Sequence, residues 1–286
     1  MKRNSIRLFQ DKAFLALIIF FSLLTSIPLF AILGKVFING IGQINWAFFT
    51  EISPTTLEAM LAKNIGEPIP GGIANGIVGM LIIVALAAIV AIPIGIFCGI
   101  YVSENRERRF ASIIRFLSEL LQGTPSIVIG IIAYLWIVVP MGSYSAIAGA
   151  GALAIMMLPL IIRSTEETLN LLPMSLKESA LALGASYTSM IFKVWLPSGF
   201  SGIFTGILLA ISRVMGETAP LMLTILGSAY IQWNLTQPNS SVSLLIWEFY
   251  NDPNLQSLIW SASLFLLLIV LTLNITAKII TKRWNR

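Results

Sequence analysis

Long apolar stretches alternate along the chain with short segments that hold most of its charge. Ile73–Val102 contains no charged side chain, and about 20 consecutive apolar residues suffice to cross the hydrocarbon core of a bilayer. Six membrane-spanning helices are predicted, at about Phe14–Phe37, within Ile73–Val102, and at about Ile113–Val139, Ser145–Ile162, Ile203–Leu226 and Ser257–Lys278. The first follows Lys2, Arg3, Arg7 and Lys12, as the core of a signal peptide would. Its apolar run is longer than the about 7–15 residues of such a leader and ends in "ILGKVF" with no small-residue cleavage site, so it reads as a retained helix. The third contains "GTPS" (Gly123–Ser126), where Pro125 predicts a kink; alternatively Thr124 and Ser126 aim polar groups into a cavity. The fourth opens on "AIAGAGALA", small residues suited to close helix packing. The expected fold is all-α, a polytopic membrane protein with six transmembrane helices.

The connecting segments then set an orientation. Residues Arg106, Arg108, Arg109 and Arg115, then Arg163, Lys177 and Lys193, and finally Lys278, Lys282, Arg283 and Arg286 all fall on the same side as the basic N-terminus. Lysine and arginine favour the cytoplasmic face, so both termini are expected in the cytoplasm and the chain in the cytoplasmic membrane of a prokaryote. The outer segments, about 38–72 and 227–256, hold Glu51, Glu58, Glu67, Glu248 and Asp252 and are too short for a substantial domain. The expected organisation is a tail, first helix and outer loop over 1–72, a transmembrane domain over 73–280 and a short cytoplasmic tail over 281–286. Because the basic residues flank spans and do not interleave with aromatics on one face, the net charge of +5 reads as topology, and no nucleic-acid partner is expected.

Composition narrows the chemistry. The chain is 57% hydrophobic and 11% charged, against roughly 25% charged in an ordinary soluble domain. It has no histidine, which removes histidine-based metal sites and the Ser–His type of catalysis. Its lone Cys98 forms no intrachain disulfide, and no Gly-x-x-x-x-Gly-Lys-Ser/Thr loop is present to bind ATP. No catalytic and no metal-ligating residues are expected, and no cofactor bound by this chain.

The longest cytoplasmic segment, 163–200, carries the most information. "SLKESALALGASYTSMIFKVWLPSG" (Ser175–Gly199) opens like a short helix whose small residues would let a partner's surface approach. A helix lying on the membrane surface would need more cationic residues than Lys177 and Lys193. The run Glu178-Ser179-Ala180, three residues, Gly184, nine residues, Val194-Trp195-Leu196-Pro197 resembles the EAA loop of ABC-importer permeases, with Ser179 and Val194 in place of the commonest residues. The resemblance implies a coupling helix seated in a groove of a separate ATP-binding subunit, with ATP and Mg held there. It assigns coupling to Glu178, Ser179, Ala180, Gly184, Leu196 and Pro197.

Further stretches are similar to PstA-type permeases of phosphate importers. They are "FFTEISP" (Phe48–Pro54), "GGIANGIVG" (Gly71–Gly79), "IPIGIFCGIYVSE" (Ile92–Glu104), "TPSIVIGI" (Thr124–Ile131), "LPLIIRSTEETL" (Leu158–Leu169) and "GILLAISRVMGETAPLM" (Gly206–Met222). "LEAMLAKNI" (Leu57–Ile65) looks like extra outer-loop length without an assigned role. This resemblance implies transport of inorganic phosphate, a pair of ATP-binding subunits, a second, C-type permease and an external phosphate-binding protein. The EAA loop alone leaves sulfate, molybdate or phosphonate as alternatives. A secondary transporter would need no such loop, and an intramembrane enzyme would need a second carboxylate near Glu217.

Arg213 and Glu217 stand in an otherwise apolar run. On one continuous helix they would share a face at i, i+4. Two readings follow: a neutralised pair locking helices, or an arginine lining an anion's path, with Glu217 as its partner in one conformation only. A guanidinium fork suits phosphate oxygens and stays charged at physiological pH. Arg163 reads equally as a positive-inside anchor or as the cytoplasmic end of the path.

Overall fold

The computed structural model describes residues 2–284, with side chains from 11 to 282. Asn285 and Arg286 of the expected 281–286 tail, and the side chains of Lys2, Arg3, Arg7 and Arg283, lie outside the described residues. Among the described residues the regular elements are helices: α1 (Lys2–Gly40), α2 (Trp46–Thr50), α3 (Thr56–Ile65), α4 (Ala74–Glu104), α5 (Arg109–Gly123), α6 (Ser126–Ala133), α7 (Val139–Met141), α8 (Ala146–Asn170), α9 (Met174–Ala182), α10 (Tyr187–Met190), α11 (Leu196–Ser198), α12 (Phe200–Met215), α13 (Ala219–Met222), α14 (Val242–Asn251) and α15 (Gln256–Trp284). An isolated bridge pairs Leu226 with Asn239.

Four of these, α1, α4, α8 and α15, are each long and apolar enough to cross a bilayer. The other two expected spans are bent pairs. The third turns by 106° between α5 and the α6–α7 rod, and α12 meets the preceding α10–α11 rod at 68°. Six spans result if each bent pair counts as one.

The kink expected at Pro125 in the third span is present, and the expected course of the fifth is corrected; proline accounts for each. Thr124 and Pro125 are extended, with ψ of 131° and 135°, because a proline disfavours the helical region for the residue before it and brings no N–H of its own. In the fifth, the helix stops at Met215 instead of running to Leu226. Pro220 would meet the carbonyl of Gly216 four residues back, a clash worth about 3 kcal/mol or more inside a helix. The fourth span runs past its expected end at Ile162 to Asn170, which makes Arg163, Glu166 and Glu167 helical.

Proline also shapes the two rods. In each, five residues form a wide π turn, Tyr134–Val138 and Ile191–Trp195, and a proline follows two residues later, Pro140 and Pro197. Widening the turn accommodates a ring that the tighter α geometry would exclude.

The centre of the bundle is the pair α4 and α8. Without a hydrophobic drive between helices in lipid, close dispersion contact has to hold them. Gly95 and Gly99 on α4 supply it: a Cβ on either would lie 2.7 Å from Ile161 Cγ2 or 2.5 Å from Thr165 Cβ. Around this seam Ile83, Ala87, Leu153, Met157, Val214, Leu221 and Leu245 form one buried cluster. Helix α1 stands apart. It packs chiefly along α15, where Ser261 Oγ donates to the Gly40 carbonyl at 2.7 Å, and it leaves Phe14 and Phe30 66% and 70% exposed.

The outer segments are tied together by polar side chains. Asn75 Nδ2 donates to the Ser228 carbonyl (2.8 Å) and Ser53 Oγ (3.1 Å). The unassigned stretch 57–65 lies in α3, which starts with a capping box between Thr55 and Glu58. Thr56 Oγ1 then donates to Asp252 Oδ2 at 2.6 Å. That bond, with Asn254 N–H on the other oxygen, holds the Asp252 carboxyl below its ordinary range.

Candidate functional site

Arg213 occupies the last turn of α12, where a positive charge complements the carbonyl end of the helix. Glu217 lies beyond the helix end, so the expected shared helix face is corrected: the chain has already turned at Gly216. The backbone there remains satisfied. Gly216 and Glu217 N–H donate to the Arg213 and Val214 carbonyls, and the Glu217 carbonyl accepts from Ser243 Oγ at 2.8 Å. Such irregular backbone at membrane depth is tolerated where it is buried in protein or lines a cavity.

Despite the turn, Arg213 and Glu217 line one cavity of about 110 Å³, together with Leu121, Gln122, Thr124, Ser126, Ile129 and Met156. The α5–α6 elbow thus both bends the chain and presents Thr124 and Ser126 to this space, although Thr124 Oγ1 also donates to the Leu120 carbonyl at 2.7 Å. A water occupies about 30 Å³ in the liquid, so a small tetrahedral oxyanion fits. Among the described residues Arg213 has neither an ion pair nor a side-chain hydrogen bond, and no ion pair joins it to Glu217. A guanidinium without an ion pair can donate to the oxygens of an anion, and Glu217 is the acidic group in the same lining.

The side of this cavity that holds Glu217 is set by close packing. Two residues after Glu217, α13 presses onto α6, where a Cβ on Gly130 would stand 2.7 Å from Pro220 Cα. Only glycine permits that approach.

Arg163 lies elsewhere, lining a second cavity of about 240 Å³ between α5 and α8 with Arg115, Ser118, Glu119, Gln122, Glu166 and Glu167. Its Nε bonds Glu167 Oε1 at 2.8 Å, an exposed i, i+4 pair. Arg115 is held more firmly: Nε to Glu166 Oε1 at 2.7 Å, with its other nitrogens donating to the Arg106 and Val102 carbonyls. Gln122 borders both cavities.

The 175–199 segment forms a separate surface. Glu178 and Ser179 on α9 are exposed, whereas Ala180, expected to face a partner, is buried against Ile100, Leu169, Met190, Trp195 and Ile203 of its own chain. Gly184 follows α9 with φ +82°, and Ala185 N–H reaches back to the Ala180 carbonyl, the usual glycine ending of a helix. A Cβ there would meet nothing within 4 Å, so Gly184 is required for its backbone, not its size. Leu196 is half-buried and Pro197 exposed. Leu171 and Leu183, flanking α9, are 86% and 89% exposed.

Residues that pattern reading missed hold this surface to the bundle. Glu104, at the end of α4, bonds Lys177 and accepts from Tyr187 Oη at 2.6 Å; the Lys177 and Glu104 side chains are only 18% and 6% exposed. Their sequence separation left no local signal. Gln122 was missed for the same reason.

Residues 91–286 match the model of the family described as binding-protein-dependent transport system inner membrane component. The chain is 39% identical over 252 residues, 87% of its length and 82% of the relative's, to the phosphate transport system permease protein PstA of Yersinia pestis. It is 32% identical to the probable PstA of Methanocaldococcus jannaschii, over 96% of this chain and 94% of that one. A chain of the MetNI methionine ABC transporter in an inward-facing conformation superposes with a TM-score of 0.60 over 73% of this chain and 95% of its own, at 17% identity; that likeness concerns the fold.

Proposed function

The chain belongs to the family of binding-protein-dependent transport system inner membrane components, and from that premise we propose that it is a permease subunit of an ATP-driven importer of inorganic phosphate. The substrate is supported by relatives named as phosphate permeases. The observation that carries the reading in this chain is the unpaired Arg213 in the same small cavity as Glu217, Thr124 and Ser126.

The importer works through partners. A pair of ATP-binding subunits hydrolyses ATP with Mg and seats on the surface around α9, using Glu178, Ser179, Gly184, Leu196 and Pro197 and the exposed Leu171 and Leu183. Ala180 contributes by packing α9 onto its own bundle. An external phosphate-binding protein delivers the anion, and a second, C-type permease completes the path. Both termini are cytoplasmic, with the α5–α8 cavity and α9 on that side.

Arg213 holds the anion, since a guanidinium presents a planar fork of donors that matches phosphate oxygens. Glu217 acts as the alternative partner of Arg213 once the anion leaves, which limits the cost of an unpaired charge in the membrane. Arg163 lies at the inner end of the route.

The test is uptake of labelled phosphate at limiting concentration, comparing wild type with Arg213→Gln at matched membrane levels and with all partner subunits present. ATP-dependent uptake that the variant loses is expected. Uptake that survives in the variant returns Arg213 to a structural role. No phosphate uptake by the wild type overturns the substrate.

A further inference from the structure

Gln122 is the next-to-last residue of α5, one turn beyond Ser118 and Glu119 and two beyond Arg115 on the same helix face. It is shared by the two cavities, the one with Arg213 and Glu217 and the one with Arg115, Arg163 and Glu166. Its Nε2 is buried and has no hydrogen-bond partner among the described residues. A buried amide donor without a partner is destabilising, and native proteins rarely keep one without a use. Both neighbouring arginines on the inner side have their charges engaged, Arg115 by Glu166 and Arg163 by Glu167. Among the side chains lining the two cavities, the Arg213 guanidinium has no ion pair and the Gln122 amide is a buried donor without a partner.

We infer that Gln122 is a substrate-contacting residue at the crossing between the two cavities, donating its amide N–H to the anion as it leaves Arg213 for the inner end of the route. The inference rests on the phosphate-importer reading and adds a residue to that path. A neutral amide suits a crossing point. A third arginine between Arg213 and Arg163 would hold the anion too well, and conduction needs sites weak enough to leave as well as favourable enough to enter. Glutamine also carries an acceptor, Oε1. Hydrogen phosphate has an O–H to offer that acceptor, whereas sulfate at neutral pH has none. A site built around a donated hydrogen bond discriminates strongly against an analogue that lacks it.

The experiment uses the assembled importer with all its subunits. Gln122→Met keeps the length of the side chain and removes the amide; it is expected to lower the maximal uptake rate about tenfold, the size expected for losing one hydrogen bond to a charged group, with a smaller change in KM, which the external binding protein sets. A wild-type maximal rate in Gln122→Met overturns the inference. A second readout does not depend on transport. With Cys98→Ala removing the lone cysteine of the chain, Gln122→Cys is treated with a small anionic thiol reagent in inside-out vesicles, and labelling of this chain is followed. Labelling slowed by excess phosphate and not by equal sulfate is expected. No labelling, or labelling indifferent to phosphate, overturns the inference. Failure of wild-type phosphate uptake in the same preparation strikes the substrate reading instead, so the two failures are distinguishable.

Discussion

Replacing Gly130 with alanine tests whether the α6–α13 contact positions the charged cavity. The added Cβ would stand 2.7 Å from Pro220 Cα, 3.3 Å from Leu223 Cδ1 and 3.4 Å from Pro220 Cβ. Leu223 can swing its side-chain end away, but a backbone atom cannot. To reach an ordinary contact, α13 must retreat by about 0.7 Å. Overpacking of this kind costs about 1–3 kcal/mol. Alanine in place of glycine inside a helix returns about 1 kcal/mol, so the net destabilisation expected is about 0–2 kcal/mol. The larger effect falls on transport, because Glu217 is two residues from α13 and moves with it. If the full strain of about 1–3 kcal/mol opposes the working geometry, uptake falls about 5- to 140-fold. The assay is phosphate uptake at matched membrane levels, with thermal denaturation of the purified complex alongside. Gly34→Ala is the control: it lies within α1 and its Cβ meets nothing within 4 Å, so it isolates the propensity gain and leaves uptake intact. Wild-type uptake by Gly130→Ala, with no loss of thermal stability, would refute the claim that this contact sets the position of Glu217.

Three other outcomes are expected. At Gly184, where φ is +82° and the Cβ direction is open, Gly184→Asn should keep uptake and Gly184→Val should reduce it. Asparagine tolerates the left-handed region, which costs other residues about 1–2 kcal/mol; equal uptake in both variants would show that the cap is dispensable. Glu104→Gln leaves the largely buried Lys177 without its anion, a change worth about 3–5 kcal/mol for buried pairs. Uptake should fall and the double variant Glu104→Gln/Lys177→Met should recover part of it; no recovery would mean that Glu104 acts other than by anchoring α9. The Asp252 carboxyl sits below its ordinary range because of Thr56 and Asn254. Its contribution is therefore fully present above the ordinary carboxylate value and is lost as pH falls through the depressed one. Hydrogen-exchange protection factors over Thr56–Ile65 should drop in that acid window, and Thr56→Val should lower them already at neutral pH; a pH-independent protection would show that the bond does not hold α3.

The fold class and the family were legible because their signals are local. A charge-free run such as Ile73–Val102 can be read without knowing its neighbours, and the spacing from Glu178 to Pro197 is a property of one segment. The pair Arg213–Glu217 was visible as charge in an apolar run, but its geometry was misread. Pro220 was present in the sequence, yet the apolar pattern continues to Leu226 and concealed the helix end at Met215. Ala180 shows the limit from the other side: a small residue on a short helix has the same pattern whether it faces a partner or its own core, and only Met190 and Trp195 folding back over it decide. Gln122, Glu104 and Glu166 depend on contacts across 51 or more residues or on cavities shared by several helices, which no single stretch encodes.

The isolation of α1 has a consequence for how this chain can vary. A helix that meets the rest of the protein mainly through α15 is constrained along one narrow line, where Gly40 admits Leu264 and the Trp260 carbonyl and accepts the Ser261 hydroxyl. Most other positions between Phe14 and Phe37 have only to dissolve in lipid, and leucine, isoleucine, valine and phenylalanine do so almost interchangeably. A saturation-mutagenesis map of α1 should therefore be nearly blank on three sides and sharp at Gly40, the inverse of the map for α4, where a Cβ on Gly76, Gly79, Gly95 or Gly99 would run into a neighbouring helix or segment. The N-terminal helix is the part of the molecule where inheritance has the least to preserve, and its sequence is the poorest guide to ancestry.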